Sequence, residues 1–586
     1  MESKEMIIHG MPASKGIAIG QIFIYQLAQP KIPEFEITSV EVEIKRFHAA
    51  LAKTKKDLSL IAQRLSSEMN LDLSKYLEAQ ILMLDDPQLN QEVINNIKAE
   101  RKNCEYIYNK VITSYTEKLQ MSKDAYLRER IYDIWDMANR LLRNLLGEVH
   151  ITILEAPAGS IVAAHDLPPS EAALIKPKEI LGIATEIGGL TSHTAIMAKA
   201  LEIPAVLGLH GLLEKVVDGE TVILDGERGL LIKNPKESSI KNYQQKITKL
   251  EEHKKSFATV SQMVPKTKDG KYVDISANIE FLSEVSTALR YGAEGVGLFR
   301  TEFLYLAKRG LPTEDEQYEI YYALARRMKN RPIIIRTFDL GGDKVRPGYK
   351  ESNPFLGWRA IRFCLDDINF FKTQLRAILR AAVLGNIKIM FPMIATIEEL
   401  KRAKLIVERT KQELQKDKIE FAHDLPIGIM VETPSAAILS EHLARECDFF
   451  SIGSNDLTQY TLAFDRGNEQ IIKLFDHFHP AVLKLISQVI CAAHKYHIMV
   501  GVCGEIASDI LGIPLLIGLG IDELSMTPSV IPEAKYILRS IDVSKAAEIA
   551  HQSLNLRTPL EVRRFLRRSI IKHFPELEPI LVGQNV

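Results

Sequence analysis

Eight short apolar runs recur through the second half of this sequence, at 272–277, 293–299, 333–338, 387–392, 427–431, 449–453, 498–502 and 521–526, with helical segments between them. Alternation of that kind predicts a (β/α)8 barrel, with a doubly wound open sheet as the rival that periodicity alone does not exclude. In a barrel, side chains at the C-terminal ends of different strands converge on one site. The residues at these ends are therefore worth reading together.

The second run ends in Arg300, with Thr301 and Glu302 behind it. The third contains Arg336 and leads to Asp339, Gly341, Gly342 and Asp343. The fifth ends at Glu432, the sixth at Ser454-Asn455-Asp456 and the seventh at Cys503-Gly504-Glu505. Arg359 and Arg466 lie on loops able to join them. Singly, each residue has an ordinary structural reading as a surface ion pair, a helix cap or a small buried apolar group. Jointly they suit a small anion carrying carboxylate and phosphate, because arginine offers a planar fork to either group. Glu432 and Asp456 are oxygen donors of the kind that Mg²⁺ prefers. Arginines and Mg²⁺ together stabilise charge on a transferring phosphoryl group.

The first half is organised differently. Ile19 to Tyr25 reads as a strand, and glycine then vanishes from Gln21 until Gly147. Between Val40 and Leu146, apolar stripes recur at helical spacing, as in Phe47, Leu51, Leu58, Ile61 and Leu65 and again in Ile131, Ile134, Ala138, Leu141, Leu142 and Leu145. Strand-like runs return at 160–164, 180–184, 205–207 and 222–224, so the helical block reads as an insertion in one α/β domain. Ile240, Tyr243, Ile247 and Leu250, set among lysines and glutamates, predict a long exposed linker helix.

One segment of this α/β region stands out. Gly188-Gly189-Leu190-Thr191-Ser192-His193 follows a short strand and opens a helix. Two glycines permit a tight turn, and Thr191 or Ser192 can cap the helix. His193 then sits in the first turn, where free N–H groups and the dipole favour an anion and disfavour imidazolium. That setting suits a neutral nucleophile that must carry phosphate; an ordinary capped helix with an incidental histidine is the alternative.

Composition narrows the classes. Lys and Arg number 74 against 75 Asp and Glu, which argues against a chain built to coat nucleic acid or an anionic membrane. The start of the chain lacks the pattern of a signal peptide, and no apolar stretch is long enough to span a bilayer. Five cysteines without a CxxC pair argue for reduced thiols in the cytoplasm.

With these residues in view, the chain resembles the Enzyme I family of the bacterial phosphoenolpyruvate (PEP)-dependent sugar phosphotransferase system. The resemblance runs nearly end to end and is densest at Gly188–Ala198, Gly295–Phe303, Ile335–Lys344, Asn353–Arg362, Val431–Ala437, Phe449–Thr461 and Gly501–Glu505. It implies that His193 is phosphorylated at Nε2 and that Arg300, Arg336, Asn455 and Arg466 bind PEP, with Arg359 nearby. Glu432 and Asp456 would ligate Mg²⁺, and Cys503 would protonate the enolate carbon as pyruvate forms. It also implies five segments: a phosphohistidine α/β domain at 1–35 and 148–233, a helical insertion at 36–147 that docks the phosphocarrier HPr, a linker at 234–262, a dimerising TIM barrel at 263–575, and a tail at 576–586. The α/β domain would swing between barrel and HPr. Two positions depart from the family pattern: Leu190 stands where many members carry arginine, and Gln80 where many carry histidine.

PEP synthases and pyruvate phosphate dikinases share a mobile histidine and a barrel, but they need a large nucleotide-binding domain before the histidine domain. Only about 150 residues precede the main α/β stretch here, with no GxxxxGK[ST] segment. A non-catalytic regulator is the other alternative, opposed by the complete set of expected site residues.

Overall fold

The computed structural model describes residues 5–25, 31–64, 80–120, 125–147, 152–172, 174–176, 179–189, 192–308, 311–341, 351, 353–465, 471 and 474–582. The chain divides into two compact units, Met1–Glu251 and Glu252–Val586.

The first unit is built on an eight-stranded mixed sheet. Its strands are β1 (Met6–His9), β2 (Met11–Ser14), β3 (Ile17–Tyr25), β4 (Ser160–Ala164), β5 (Ile180–Thr185), β6 (Ala205–Leu207), β7 (Thr221–Asp225) and β8 (Leu230–Lys233), in the spatial order β1-β8-β7-β3-β4-β5-β6-β2. Strands β3 to β6 run parallel, whereas β7, β8, β1 and β2 add antiparallel edges. Because β3 pairs directly with β4, from Gln21↔Ser160 to Tyr25↔Ala164, the helices between them form an insertion, as the sequence predicts.

Four long helices of that insertion are Val40–Arg64, Pro87–Glu100, Cys104–Gln120 and Ala125–Leu146. Asp86 starts the second by accepting from the Gln88 and Leu89 amides, with proline at the first helical position. The stripe residues Phe47, Leu58, Ala138 and Leu141 are buried. They share one apolar cluster with Tyr25, Val162 and Ile183 of the sheet, so insertion and sheet are packed on a common core. Arg140 reaches across to Glu171 at 3.1 Å, deep in that seam.

Helix Glu237–Val260 is exposed over much of its described length, but its start docks on the sheet. Ile240 and Tyr243 pack on Ile223 and Ile232 of the sheet, and the Tyr243 hydroxyl donates to Asp225 at 3.0 Å.

In the second unit, β9 (Asp274–Ile279), β10 (Val296–Phe299), β11 (Ile333–Arg336), β12 (Ile387–Phe391), β13 (Ile427–Val431), β14 (Phe449–Ile452), β15 (Met499–Val502) and β16 (Glu523–Met526) close into a barrel. All eight pairings are parallel, and the pairing of β16 with β9 closes the ring, which decides between barrel and open sheet. Gly428 is required on β13, since a Cβ there would lie 2.5 Å from the Phe449 ring. The first run is displaced: the strand extends to Ile279 because Ile275, Ala277 and Ile279 are its buried alternating set, with polar Asn278 among them. The expected tail from 576 also stays packed through Val582, with Leu577 and Leu581 in the barrel unit's core.

Candidate active site

At the C-terminal ends of the barrel strands, Leu298, Arg300, Arg336, Met430, Glu432, Asn455, Asp456 and Cys503 line a cavity of about 260 Å³. Arg359 reaches its edge through Asp339 and Asp456. Arg466, in contrast, lies outside the described residues, as do Gly342 and Asp343.

Arg336 ends β11 and is 8% exposed. It pairs with Glu302 at 3.0 Å and with Asp339 at 3.4 Å. Burial opposes its charge, but Glu302, Asp339 and Glu432 outweigh burial and hold the guanidinium protonated. Its buried Nε has no hydrogen-bond partner among the described residues. Arg359 grips Asp339 with two bonds, Nε to Oδ1 at 2.9 Å and Nη2 to Oδ2 at 2.8 Å, and lies 3.8 Å from Asp456. The two-point grip fixes the plane of the fork. Arg300 is the more open arginine, paired with Glu280 at 2.7 Å.

Glu432 directly follows β13 and is 1% exposed. Its Oε1 accepts from the Met393 amide at 2.6 Å. Burial first, then the carboxylates of Asp456 and Asp339, push its pKa well above the ordinary carboxylate range. Asp456 lies in the first turn of helix Ser454–Leu462. Two buried carboxylates in one cavity are suited to a hard divalent cation, because both offer oxygen and a cation offsets the charge disfavoured on Glu432. Asn455 is oriented by Glu505, its Oδ1 accepting from the Glu505 amide at 2.9 Å.

Cys503 follows β15 and is 5% exposed. Burial chiefly, with Glu432 adding to it, pushes its thiol up to about 11. At neutral pH the group is thus S–H rather than thiolate, a proton donor rather than a nucleophile. Leu298 and Met430 pack with it and give the cavity an apolar side.

Three acids position these groups; the sequence reading named Glu302 and Asp339 without giving them a role and passed over Glu280. Glu280 stands immediately after β9, Glu302 opens the helix after β10, and Asp339 lies three residues beyond β11. Their position after strands is the signal that singled out Glu432, and pairing each arginine with a nearby acid would have found them.

In the first unit, His193 is the first residue of helix His193–Ala200, and Ser192 is the cap, its Oγ accepting from the Ala195 amide at 3.3 Å. Gly188 has φ +116°, which justifies glycine in the turn. Leu190, Thr191 and the His193 side chain lie outside what is described. The turn is moored to β4: the Glu186 and Ile187 amides donate to the carbonyls of Ala164 and His165 at 3.0 and 3.1 Å. His165 Nδ1 and Glu186 Oε2 lie 2.6 Å apart beside it, a pair that the sequence reading did not anticipate. Gln80 is buried, and its amide donates to Asp136 at 3.1 Å.

Three family profiles match the chain: the PEP-binding domain of PEP-utilising enzymes at residues 254–543, their N-terminal domain at 9–130 and their mobile domain at 156–229. The phosphoenolpyruvate-protein phosphotransferases of Bacillus sp. (strain S) and Geobacillus stearothermophilus are each 42% identical over 572 residues, covering 97% of this chain and 98% of the relative. That of Bacillus subtilis (strain 168) is 40% identical over 573 residues, covering 96% of this chain and 99% of the relative. Among solved structures, an NMR structure of Enzyme I (nEIt) is 39% identical, with a TM-score of 0.37, covering 42% of this chain and 99% of that chain.

Proposed function

The chain belongs to the PEP-utilising enzymes, in the family of the phosphoenolpyruvate-protein phosphotransferases, and from that premise we propose how its residues divide the reaction. The protein is a phosphotransferase that moves the phosphoryl group of PEP onto protein, the first step of the sugar phosphotransferase system.

In our reading, Arg300, Arg336, Arg359, Asn455 and Arg466 bind PEP at the barrel mouth, the arginines taking its carboxylate and phosphate. The bond between phosphorus and the enol oxygen breaks, and a bond forms to the imidazole nitrogen of His193. The buried arginines are already held in place by their acids, so little reorganisation is needed when charge develops. The enolate left behind takes the Cys503 proton at C3 and becomes pyruvate, and solvent reprotonates the thiolate. A divalent metal belongs to this family's chemistry, and Mg²⁺ is our assignment, held by Glu432 and Asp456, where it would supply countercharge to the phosphate oxygens.

The second half of the reaction needs a protein acceptor. We assign that role to a histidine of HPr, docked on the helical insertion, with the α/β domain turning between barrel and HPr. A homodimer through the barrel and a cytoplasmic location complete the proposal; five free cysteines suit a reducing compartment. One observation carries the reading: two arginines, two buried carboxylates and a buried thiol line one small cavity at the strand ends.

The test is nucleotide-free turnover. With PEP, Mg²⁺ and HPr in large excess over enzyme, and no nucleotide, pyruvate forms over many turnovers up to one equivalent per HPr, and a chelator stops it. A strict requirement for a nucleotide would reject the proposal in favour of a dikinase or synthase.

A further inference from the structure

Cys503 lies just past the end of its strand, where β16 no longer pairs with it. The ladder between β15 and β16 consists of Gly501↔Glu523 and Val502↔Leu524, so it stops one residue short of the thiol-bearing position. Something else must fix that residue. On one side the Cys503 amide donates to the Ile452 carbonyl of β14 at 3.1 Å. On the other, the side chain of Asn278 reaches over from β9, two strands away. Its Nδ2 donates to the Cys503 carbonyl at 3.0 Å and to the Ser525 carbonyl at 3.3 Å. Its Oδ1 accepts from the Ser525 hydroxyl at 2.6 Å, which fixes the orientation of the amide. The next residue has no slack either, because a Cβ on Gly504 would lie 1.9 Å from the Ser454 hydroxyl oxygen.

We infer that Asn278 is a positioning residue of this enzyme: its carboxamide stands in for the missing ladder bond and holds the Cys503 thiol at one face of the substrate's C3. The inference rests on reading Cys503 as the proton donor. In that step the S–H bond breaks, a C–H bond forms at C3 and the enolate becomes the ketone of pyruvate. A thiol held at one face delivers its proton from one side, whereas enolpyruvate that escapes unprotonated is protonated from both sides in water. Facial selectivity at C3 therefore reads the position of the thiol separately from folding or phosphoryl transfer.

The experiment uses the full-length protein with Mg²⁺ and PEP stereospecifically deuterated at C3, in tritiated water, the pyruvate being trapped at once as lactate. Wild-type protein gives a methyl group of one configuration. Asn278→Ala is expected to give largely racemic methyl and to slow single-turnover pyruvate formation about tenfold, while phosphohistidine still forms to the same extent. A methyl group as chiral as the wild type's, at whatever rate, overturns the inference. If Asn278→Ala does not fold, Ser525→Ala decides: it removes only the hydroxyl that orients the amide, so partial racemisation is expected and full chirality overturns the inference. Cys503→Ala run in parallel separates the two claims, since retained chirality there would mean that the proton comes from another group and that the thiol assignment itself is wrong.

Discussion

The two units present chemistry in opposite ways. At the barrel mouth the charged groups are buried and interlocked: Arg336 and Arg359 are each 8% exposed and share Asp339, while Glu432 is 1% exposed and fastened to a backbone amide. In the first unit the candidate nucleophile opens a capped helix of eight residues, after a glycine turn that backbone bonds from Glu186 and Ile187 hold to the end of β4. The barrel invests in rigidity because it must oppose charge that develops during the reaction. In the proposed function the helix start needs only its dipole end, because the group it carries is to be presented to more than one partner. If this contrast is right, damage to each unit should have a distinct signature.

The largest effect is expected at the shared element. His193→Ala should abolish both PEP-dependent labelling and transfer to HPr; label on another histidine in that variant breaks the assignment. Arg336→Ala comes next, and it should separate the two halves. PEP-dependent phosphorylation should fall by at least about 100-fold, as removal of preorganised donors generally costs, whereas back-phosphorylation from phospho-HPr should persist. Equal loss in both directions, measured by rapid quench, would mean that Arg336 is structural. Cys503→Ser should leave PEP affinity within about twofold and slow turnover, because only the proton donor changes. Unchanged turnover would remove the thiol from the mechanism.

A smaller effect sharpens the comparison through stability. Glu523, buried at the first residue of β16, is pushed from 4.5 to about 7, by burial first and also by Asp274 and Asp522, with Ser276 and Lys388 opposing. A raised folded-state value means that the folded barrel keeps a proton that the unfolded chain releases. Its contribution to stability is therefore full below pH 4.5 and is lost as pH rises through about 7. Glu523→Gln should flatten that loss and stabilise the barrel at pH 8 by on the order of 3 kcal/mol. Urea midpoints across pH check it, and an unchanged slope would deny that Glu523 ionises with this cost.

Much of this arrangement was legible in the sequence because strand ends and periodicity are local signals. The eight runs foretold the barrel, and the residues following them foretold Arg300, Arg336, Glu432, Asn455, Asp456 and Cys503 at one mouth. Closure itself was not legible, since an open sheet has the same alternation; only the pairing of β16 with β9 decides it. Asn278 was missed because the first run was read as ending at 277, and because its bonds lie with Cys503 and Ser525, which are distant in the chain. The apolar contact of Tyr243 was hidden in the same way, its partners Ile223 and Ile232 belonging to another element. Asp339 was visible as a residue but not as the group shared by two arginines, because that sharing depends on where the Arg359 loop returns.

The most direct test of the account is to map the phosphoryl group. Purified protein is mixed with Mg²⁺ and labelled PEP without nucleotide, and the site of acid-labile, base-stable label is located by peptide sequencing in the wild type and in Arg336→Ala. The account predicts label on His193 in the wild type, little in Arg336→Ala from PEP, and normal label in that variant from phospho-HPr. Label on any other residue, or none without a nucleotide, would contradict it.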